Sequence, residues 1–529
     1  MPPAIAPKRV NSRDVAGDES SLREIINAHH DWFMSIDGRS PLSLTIDEFE
    51  FSAAPGRLIF SCWTETGSRV WRVKSWHCSS DKLIVQASRR MGAEEVTIEL
   101  IPRASAKAIV AGIAAARQER CERLAELVAQ TLVCESASED HRLKSMPLPK
   151  IERAQLSPGM RRDQPGRYAR IVLRLPHERV AVTGIVAESD VRNADSLFSS
   201  TLLWFRRMLQ TPKRPSLQRL LLVVEREILE AARQRHGLLT ESLRKRIDLF
   251  EIKDGWTEVT PVKTFERKHL WRKRLARFPP VNLPEPMEHA NENLTQLPDA
   301  IDMVASRHGQ TLRYHGLPFA RLRRVMEQER IWFGIEGARR RQLDVFHQRD
   351  WAKLLDDLEM YRHESCRDRR HWLYRASGEA WLESILRRDI TKLDPGLIIA
   401  PLHAQFRTSH GGPTGARPID LLALRYDGRL VVIELKVTED REHVFQGVDY
   451  WRRVEAHRRR GHISAAKLFG EREISDEAPL VYLVAPALHF HPSFRTLAKT
   501  IAPDIEIYRF DINEDWRSGV HVVRRERAN

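Results

Sequence analysis

The alternation of apolar and polar positions gives the N-terminal part of the chain a distinct character. From about Ser43 to Arg103, short alternating runs are separated by Pro-Gly, Thr-Gly and Ser-Asp turns. This pattern predicts five strands of a small β-sheet or barrel. The run AKAIVAGIAAARQERCERLAELVAQTL follows, and its helical spacing of alanines and leucines predicts one long helix. We therefore expect a flexible tail at 1–18 and a β domain with its helix at 19–134.

A second pattern, over residues 160–265, mixes strand-like and helical periods. Strand-like ARIVLRL and RVAVTGIV precede a helix, and LLLVVE, another helix and IDLFEI follow. A polar, proline-containing stretch from residue 135 to 166 marks the boundary before it, and FPPVNLPEP closes it. This unit is expected to be an α/β domain.

Residues 299–375 are predicted to be helical and are rich in arginine, with Trp332, Trp351 and Trp372 interleaved. Guanidinium groups bind phosphate and aromatic rings stack on bases, so such a segment suits nucleic acid. An ordinary helical linker with a solvated charged face remains the alternative. The last unit, 376–529, carries the candidate chemistry.

Composition narrows the class of protein. The 529 residues are too many for one core and suggest roughly three or four units. No apolar stretch is long enough to span a membrane and the N-terminus resembles no secretory signal, so a cytoplasmic protein is expected. The net charge of +14 favours polyanionic partners. The five scattered cysteines form no C-x-x-C pair and are expected to be reduced and structural.

The segment RPIDLLALRYDGRLVVIELKV, residues 417–437, predicts two strands joined by a Tyr-Asp-Gly turn. The second strand is apolar on both faces except at Glu434 and Lys436, which share one face because side chains alternate. Asp420 lies near the start of the neighbouring strand. Charges in a buried strand are costly unless they pair or hold a metal. Two carboxylates here suit Mg²⁺ or Mn²⁺, which would activate a water for phosphodiester hydrolysis while the lysine orients it.

These residues resemble the PD-(D/E)XK, or restriction-endonuclease-like, nuclease superfamily over about 150 residues. Pro418-Ile419-Asp420 corresponds to the "PD" element, with one extra residue, and Glu434-Leu435-Lys436 to the "EXK" element. The resemblance implies a further acidic metal ligand on an upstream helix. Glu379 is the choice, because it lies beside the apolar stripe of SGEAWLESILRRDI, and Glu383 is the second candidate.

A subset of this family carries Gln and Tyr four apart on the helix that follows the lysine strand. EHVFQGVDYWRRVEAHRRR supplies Gln446 and Tyr450 on one helical face, together with Arg453. This face is expected to line the active site.

Further arginines are candidates for contacts with nucleic acid. They are Arg417, Arg453, Arg339, Arg340 and Arg341. His410 is expected to be a solvated loop residue, and His489 and His491 to be surface residues rather than a metal pair.

The second α/β unit also matches the last one as an internal repeat. A gapless match of RVAVTGIV with RLVVIELKV places Gly184 at the position of Glu434 and Val186 at that of Lys436. The same match sets Arg170 against Asp420. With four extra residues in the following loop of the copy, Ser200 is set against Gln446 and Trp204 against Tyr450. We therefore expect residues 160–265 to be a degenerate nuclease-like domain without metal ligands, although two unrelated α/β units remain the alternative.

The sequence thus predicts an α/β multidomain protein, and the resemblance implies that its C-terminal domain is a Mg²⁺-dependent DNA endonuclease from a prokaryotic defence, restriction or repair setting. No nucleotide-binding glycine loop or zinc-protease motif is present. Nucleic acid, in particular DNA, is the expected partner, without a membrane, and a homo-oligomer stays open. The alternative is a nucleic-acid-binding or scaffolding protein that retains a silent nuclease fold.

Overall fold

The structure of the protein is a computed structural model. It describes residues 8–10, 15–37, 42–54, 57–64, 67–79, 82–89, 94–103, 107–139, 148–159, 164–187, 194–211, 215–263, 267–271, 275, 277–278, 300–306, 309–325, 328–335, 341–406, 408 and 418–529. These residues form four β-sheets with helices packed on them, so the chain is a multidomain-like α/β protein. Within these residues, no helix is long and apolar enough to cross a membrane.

The first sheet is antiparallel throughout, and its core includes residues of helix α1, Val15–Asn27. Its strands are β1 Lys8–Arg9, β2 Asp31–Ile36, β3 Leu42–Thr45, β4 Phe49–Ala54, β5 Arg57–Thr64, β6 Gly67–Cys78, β7 Leu83–Arg89 and β8 Glu94–Pro102. The predicted strands are observed in this sheet, but the first, LSLTIDEFEF, is divided into β3 and β4, and β1 and β2 are additional strands. The prediction of a flexible tail at 1–18 is wrong in two places, because β1 pairs with β6 and α1 begins at Val15. Residues 1–7 lie outside the described part.

The long helix α2, Lys107–Glu139, packs on the second sheet rather than on the first, because Cys121, Leu124 and Val128 share a core with that sheet. The second unit comprises β9 Lys150–Leu156, β10 Tyr168–Arg174, β11 Arg179–Ile185, α3 Ala194–Leu209, β12 Leu217–Glu225, α4 Arg226–Gly237, α5 Glu241–Arg244, β13 Ile247–Ile252 and β14 Val259–Val262. Both the 19–134 and the 160–265 boundaries therefore need correction. Strand β9 lies inside the stretch that the sequence marks as a boundary.

The arginine-rich region is a sheet, so the predicted helical segment 299–375 is wrong over its first half. It comprises β15 Ile301–Ser306, β16 Gly309–Tyr314, β17 Leu317–Val325, β18 Gln328–Phe333 and β19 Arg341–Gln342, followed by helices α6 Gln348–Tyr361 and α7 Trp372–Arg375. Phe319, Leu322 and Val325 are three apart and mimic a helical stripe. The overlooked signal is the tight turn between β16 and β17, where Gly316 has a φ of +77°.

The C-terminal unit is a six-stranded sheet with helices on both faces. It comprises α8 Gly378–Arg388, β20 His403–Phe406, β21 Ile419–Leu424, β22 Leu430–Leu435, α9 His443–Arg458, α10 His462–Ala465, β23 Leu480–Pro486, α11 Phe494–Ala498, β24 Ile507–Ile512 and β25 Val522–Arg527. The predicted hairpin is confirmed, since β21 and β22 are antiparallel and Gly428 in the turn has a φ of +79°. The strand, helix and strand predicted after α9 are confirmed as β23, α11 and β24.

The second and fourth sheets have the same topology. One runs β14-β13-β12-β11-β10-β9 and the other β25-β24-β23-β22-β21-β20. Each pair of neighbouring strands also has the same relative direction, antiparallel or parallel, in the two sheets. The predicted repeat of strand order and direction is therefore confirmed, and it extends to α2 and α8, which each precede the first strand.

The gapless register of the repeat is wrong by one residue on β11. The loop between β10 and β11 spans residues 175–178, whereas that between β21 and β22 spans 425–429. Matching the strand ends keeps Arg170 at the position of Asp420 but places Thr183 at that of Glu434. Ile185 then takes the position of Lys436. A shift of one residue exchanges the two faces of a strand, and only this register places Val182 and Ile433 on equivalent faces.

The two matching units pack against each other through corresponding helices. Residues of α3, α4, α9 and α11 share one hydrophobic core, in which the rings of Phe198 and Phe445 lie 5.9 Å apart. Leu239 and Ile501 form an antiparallel bridge across this contact. Equivalent surfaces thus meet, as in an isologous dimer contained within one chain.

Candidate active site

The hairpin of β21 and β22 brings Asp420, Glu434 and Lys436 together. Leu421 pairs with Ile433, so Asp420 and Glu434 lie at the same end of the hairpin. The residues Glu434 and Lys436 are buried, with 2% and 9% of their surfaces exposed. We call Asp420, Glu434 and Lys436 the carboxylate–lysine site. As predicted from strand alternation, Glu434 and Lys436 share a face, and the Lys436 Nζ lies 2.9 Å from the Glu434 Oε1.

Acidic side chains surround the lysine. The Nζ of Lys436 is 3.6 Å from Glu379 and 3.9 Å from Asp440, in addition to its contact with Glu434. The Asp420 Oδ2 accepts a hydrogen bond of 2.8 Å from the backbone N–H of Leu435. Asp420 is therefore held by the strand that carries the other two charges.

The electrostatics of the site follow from this crowding. Burial raises the pKa of Glu434 well above its usual value, and the neighbouring Asp420 raises it further, against the opposing effect of Lys436. Burial also raises the pKa of Asp420. Burial alone would lower the pKa of Lys436, but Glu434 and Glu379 outweigh it and the net shift is upward. The lysine is thus charged at neutral pH, while the two carboxyl groups compete for a proton or a cation.

Among the described residues, no group donates a hydrogen bond to the buried Glu434 Oε2. Leaving a buried carboxylate oxygen unsatisfied is costly, and such an oxygen is suited to bind a cation. Oxygen donors also suit Mg²⁺ and Mn²⁺. Among the described side chains, however, no group of three or more His, Cys, Asp or Glu is arranged as a ready-made metal site.

Helix α8 supplies both acidic candidates, at different sides of the site. Glu379 contacts Lys436 and its side chain is 43% exposed. Glu383 is buried and accepts a 2.7 Å hydrogen bond from the amide of Gln405. Arg313 of β16 lies 3.4 Å from the other Glu383 oxygen, so the arginine-rich sheet reaches the site. The structure therefore brings both Glu379 and Glu383 close to the carboxylate–lysine site.

Sequence reasoning missed Gln405. Its amide nitrogen lies 2.7 Å from Glu383 and 3.4 Å from Asp420, so it links the two carboxyl groups. Gln405 has a φ of +49°, a left-handed conformation that costs a non-glycine residue about 1–3 kcal/mol. The short strand HAQF carries no charge and gives no sequence signal for this role. Strain at such a position is typical of functional sites.

Helix α9 places Gln446 and Tyr450 in buried positions beside the sheet, with 4% and 3% of their surfaces exposed. Tyr450 packs in one hydrophobic cluster with Val432 of β22. Burial raises the pKa of Tyr450, and the charge of Glu434 raises it further. The phenol is therefore a neutral hydrogen-bonding group. The separate apolar stripe of α9 is confirmed, since Val444, Val448 and Trp451 pack toward α3 and α4 in another cluster.

Two of the five arginines predicted to contact nucleic acid are described by the structure, and each forms an ion pair within the protein. Arg453 forms an ion pair with Asp449, and its guanidinium lies 4.6 Å from the centre of the Tyr450 ring. Arg341 forms an ion pair with Asp350. Predictions for three further arginines and for His410 lie outside the described residues; the arginines are Arg339, Arg340 and Arg417.

The two C-terminal histidines do not converge on one site. His489 lies 3.4 Å from Glu514, while His491 bonds to the hydroxyl of Ser493. Of the five cysteines, the four whose side chains are described carry free thiols.

The corresponding place in the second unit contains different groups. Arg170 replaces an acid, and Thr183 donates a 2.8 Å hydrogen bond to the backbone oxygen of Ala169. Ile185 stands at the position of Lys436. A guanidinium, a hydroxyl and an alkyl group offer no carboxylate for a divalent cation.

Comparisons of this chain with protein-family models, with curated proteins and with solved structures found no match.

Proposed function

We propose that the C-terminal unit, residues 376–529, is a metal-dependent nuclease of the PD-(D/E)XK type that hydrolyses phosphodiester bonds in DNA. The observation that carries the proposal is the convergence of Asp420, Glu434 and Lys436 at one end of a central hairpin, with Glu434 and Lys436 buried and Asp420 half-buried. Gathering three charges in a largely buried site costs stability, and a catalytic role accounts for it. The order of elements agrees with the resemblance: an acidic helix, the hairpin, and a helix bearing Gln and Tyr.

The residues divide the chemical work as follows. Asp420 and Glu434 would hold Mg²⁺ or Mn²⁺, with Glu379 or Glu383 as the third acidic group. When bound, the cation would lower the pKa of a water and neutralise charge on the phosphate. Lys436, whose charge the acids maintain, would orient the attacking water and stabilise the developing negative charge. Gln405 would position Asp420, and Tyr450 would contribute a neutral hydroxyl beside the site.

The second unit, residues 150–262, is proposed to be a degenerate copy of the same domain. The shared strand order and directions support this assignment, and the loss of both carboxylates accounts for the absence of chemistry there. A prokaryotic defence, restriction or repair protein would use such a copy to bind substrate and to support the active unit.

One observation favours the alternative of a silent, nucleic-acid-binding fold. The Lys436 ammonium lies among Glu379, Glu434 and Asp440, and these contacts alone satisfy much of the acidic charge. A structural ion-pair cluster would look the same. Activity is the property that separates the two functions.

The test is an incubation of the full chain with labelled circular duplex, linear duplex, single-stranded DNA and RNA. Each substrate is tested with Mg²⁺, with Mn²⁺ and with chelator. The proposal expects cleavage of DNA that requires a divalent cation. The exposed Glu473→Ala variant is the matched control for loss of an acid and should cleave like the wild type. Binding without cleavage under every metal would support the silent fold, and cleavage of RNA alone would overturn DNA as the substrate.

A further inference from the structure

The degenerate unit has an arginine where the candidate active site has an aspartate. Arg170 lies on β10 at the position of Asp420, half-buried, with its guanidinium 5.9 Å from the centre of the Trp204 ring. Trp204 in turn corresponds to Tyr450 on the equivalent helix. The degenerate unit therefore keeps an aromatic side chain on the helix opposite this strand position, but the charge on the strand is reversed.

Three further arginines lie near Arg170. Arg153 on β9 pairs with Val172, which faces α3, so Arg153 lies on the same face of the sheet as Arg170. Arg207 follows Trp204 by three residues on α3 and lies on the same side of that helix. The arginine cluster is defined as Arg153, Arg170, Arg207 and Arg441.

Arg441 comes from the other unit. Its backbone oxygen accepts a 3.3 Å hydrogen bond from the hydroxyl of Ser199 on α3, which places it against the degenerate unit. In sequence it follows Lys436 by five residues and Asp440 by one. The arginine cluster thus extends from Arg170 in the degenerate unit to the loop beside the candidate active site.

Within the described part of the chain, the charge of this cluster is uncompensated, because none of its four guanidinium groups forms an ion pair with an acid. Burial, together with the neighbouring charges of Arg207, Arg441 and Arg153, lowers the pKa of Arg170 to about 10. Like charges that repel in the free protein create a strong preference for an anion. Three of the four side chains belong to exposed residues, so an anion can reach them from solvent.

We propose that the arginine cluster binds phosphate groups of a nucleic-acid strand, which the degenerate unit thereby delivers to the carboxylate–lysine site. Guanidinium groups bind phosphate oxygens with two parallel hydrogen bonds and keep their charge. A single small anion would need one pocket, whereas these cations extend across two units toward the catalytic loop and suit a polymer of phosphates. The inference rests on the proposed function only where it says that the bound nucleic acid is delivered to the carboxylate–lysine site. Binding of phosphate by the arginine cluster does not depend on cleavage.

The experiment measures binding in chelator, so that catalysis plays no part. Fluorescence anisotropy of a labelled 30-nucleotide single strand and of a labelled duplex is followed against salt concentration. The test variant is R153Q/R207Q/R441Q, and the matched control is R57Q/R246Q/R472Q, which removes three exposed arginines elsewhere. If all three test residues contact phosphate, affinity for the single strand at 0.1 M salt falls on the order of 100-fold, and the log–log salt slope decreases by about 2.

A second variant guards against a structural explanation. Arg170→Met removes a partly buried, unpaired charge, so it should raise the urea midpoint of unfolding while it weakens nucleic-acid binding several-fold. A structural arginine would behave oppositely and lower the midpoint. The inference is overturned if the triple variant matches its control in affinity and slope, or if wild type binds neither strand form. Binding to anionic phospholipid vesicles without binding to nucleic acid would also overturn it. Arginine-dependent binding without cleavage would refute only the proposed nuclease.

Discussion

Arg235 should be the main electrostatic link between the two matching units. It lies on α4, is buried, and donates hydrogen bonds of 2.7 Å to Asp195 on α3 and 2.6 Å to Asp449 on α9. Burial alone would raise the pKa of Asp449, but Arg235, Arg452 and Arg453 together hold it well below its usual range. Asp449 therefore keeps its charge well below neutral pH.

Replacing Arg235 with Met keeps the volume and removes the charge. Breaking a buried ion pair from one side costs about 3–5 kcal/mol. Because Asp449 retains Arg452 and Arg453, we expect a loss of free energy of unfolding near the lower limit, about 3 kcal/mol. Urea denaturation followed by tryptophan fluorescence measures it, since Trp204 and Trp451 lie in the core between the units.

The matched control is Arg226→Met, which changes an exposed arginine at the start of the same helix. It should shift the free energy of unfolding by less than about 0.5 kcal/mol. The double variant Asp195→Asn with Arg235→Met should recover part of the loss, because it removes the second buried charge. A loss below about 1 kcal/mol, or no recovery in the double variant, would refute the reasoning.

Three further predictions follow from buried polar groups. Glu434→Gln should raise the free energy of unfolding by about 1 kcal/mol at pH 8 without metal, and less at pH 5. The raised pKa of Glu434 means that its ionisation destabilises the fold as pH rises, so a Glu434→Gln variant that is less stable than the wild type in urea at pH 8 would contradict this. Gln405→Ala should reduce kcat about tenfold with KM unchanged, with Gln405→Asn retaining more; equal kcat in both would remove its positioning role. Burial lowers the pKa of His315 and of His457 to about 4, so the free energy of unfolding should decrease as the pH falls from 6.5 toward 4. The decrease should be smaller in His457→Gln, and equal pH profiles of variant and wild type would exclude this contribution.

The sequence predicted the C-terminal unit well because its signals are local. The hairpin of β21 and β22 combines a Tyr-Asp-Gly turn with long apolar runs, and Glu434 and Lys436 interrupt the apolar run at a spacing of two. Such features need no knowledge of distant contacts. Helical periodicity also selected Glu379, and its carboxylate lies 3.6 Å from the Lys436 Nζ.

Other features depend on tertiary contacts and were inaccessible or misjudged. The role of Gln405 arises only when β20 brings it between α8 and β21. The helix α2 follows the first sheet in sequence but buries its apolar face on the second. The register of β11 was missed because the loop before β11 is one residue shorter than the loop before β22. A gapless comparison ignores this difference and therefore assigns the residues of β11 to the wrong faces of the strand.

The arginine-rich strands show a different failure. Apolar spacings of three in β17 favour a helix, while the turn at Gly316 commits the chain to a hairpin. A Cβ at Gly316 would lie 1.9 Å from the backbone oxygen of Ala380 on α8, so this close approach requires glycine. The sheet is thereby fixed against the helix that carries Glu379 and Glu383.

The most direct test of the central claim is single-turnover cleavage of labelled DNA with Mg²⁺ by wild type, Asp420→Ala, Glu434→Ala, Lys436→Ala and the control Glu473→Ala. We predict that each of the first three variants loses at least about 1,000-fold in rate with the fold intact by circular dichroism. The control should cleave at the wild-type rate. Retained turnover in Asp420→Ala or Glu434→Ala, with wild-type metal dependence, would contradict the assignment of the carboxylate–lysine site as the hydrolytic centre.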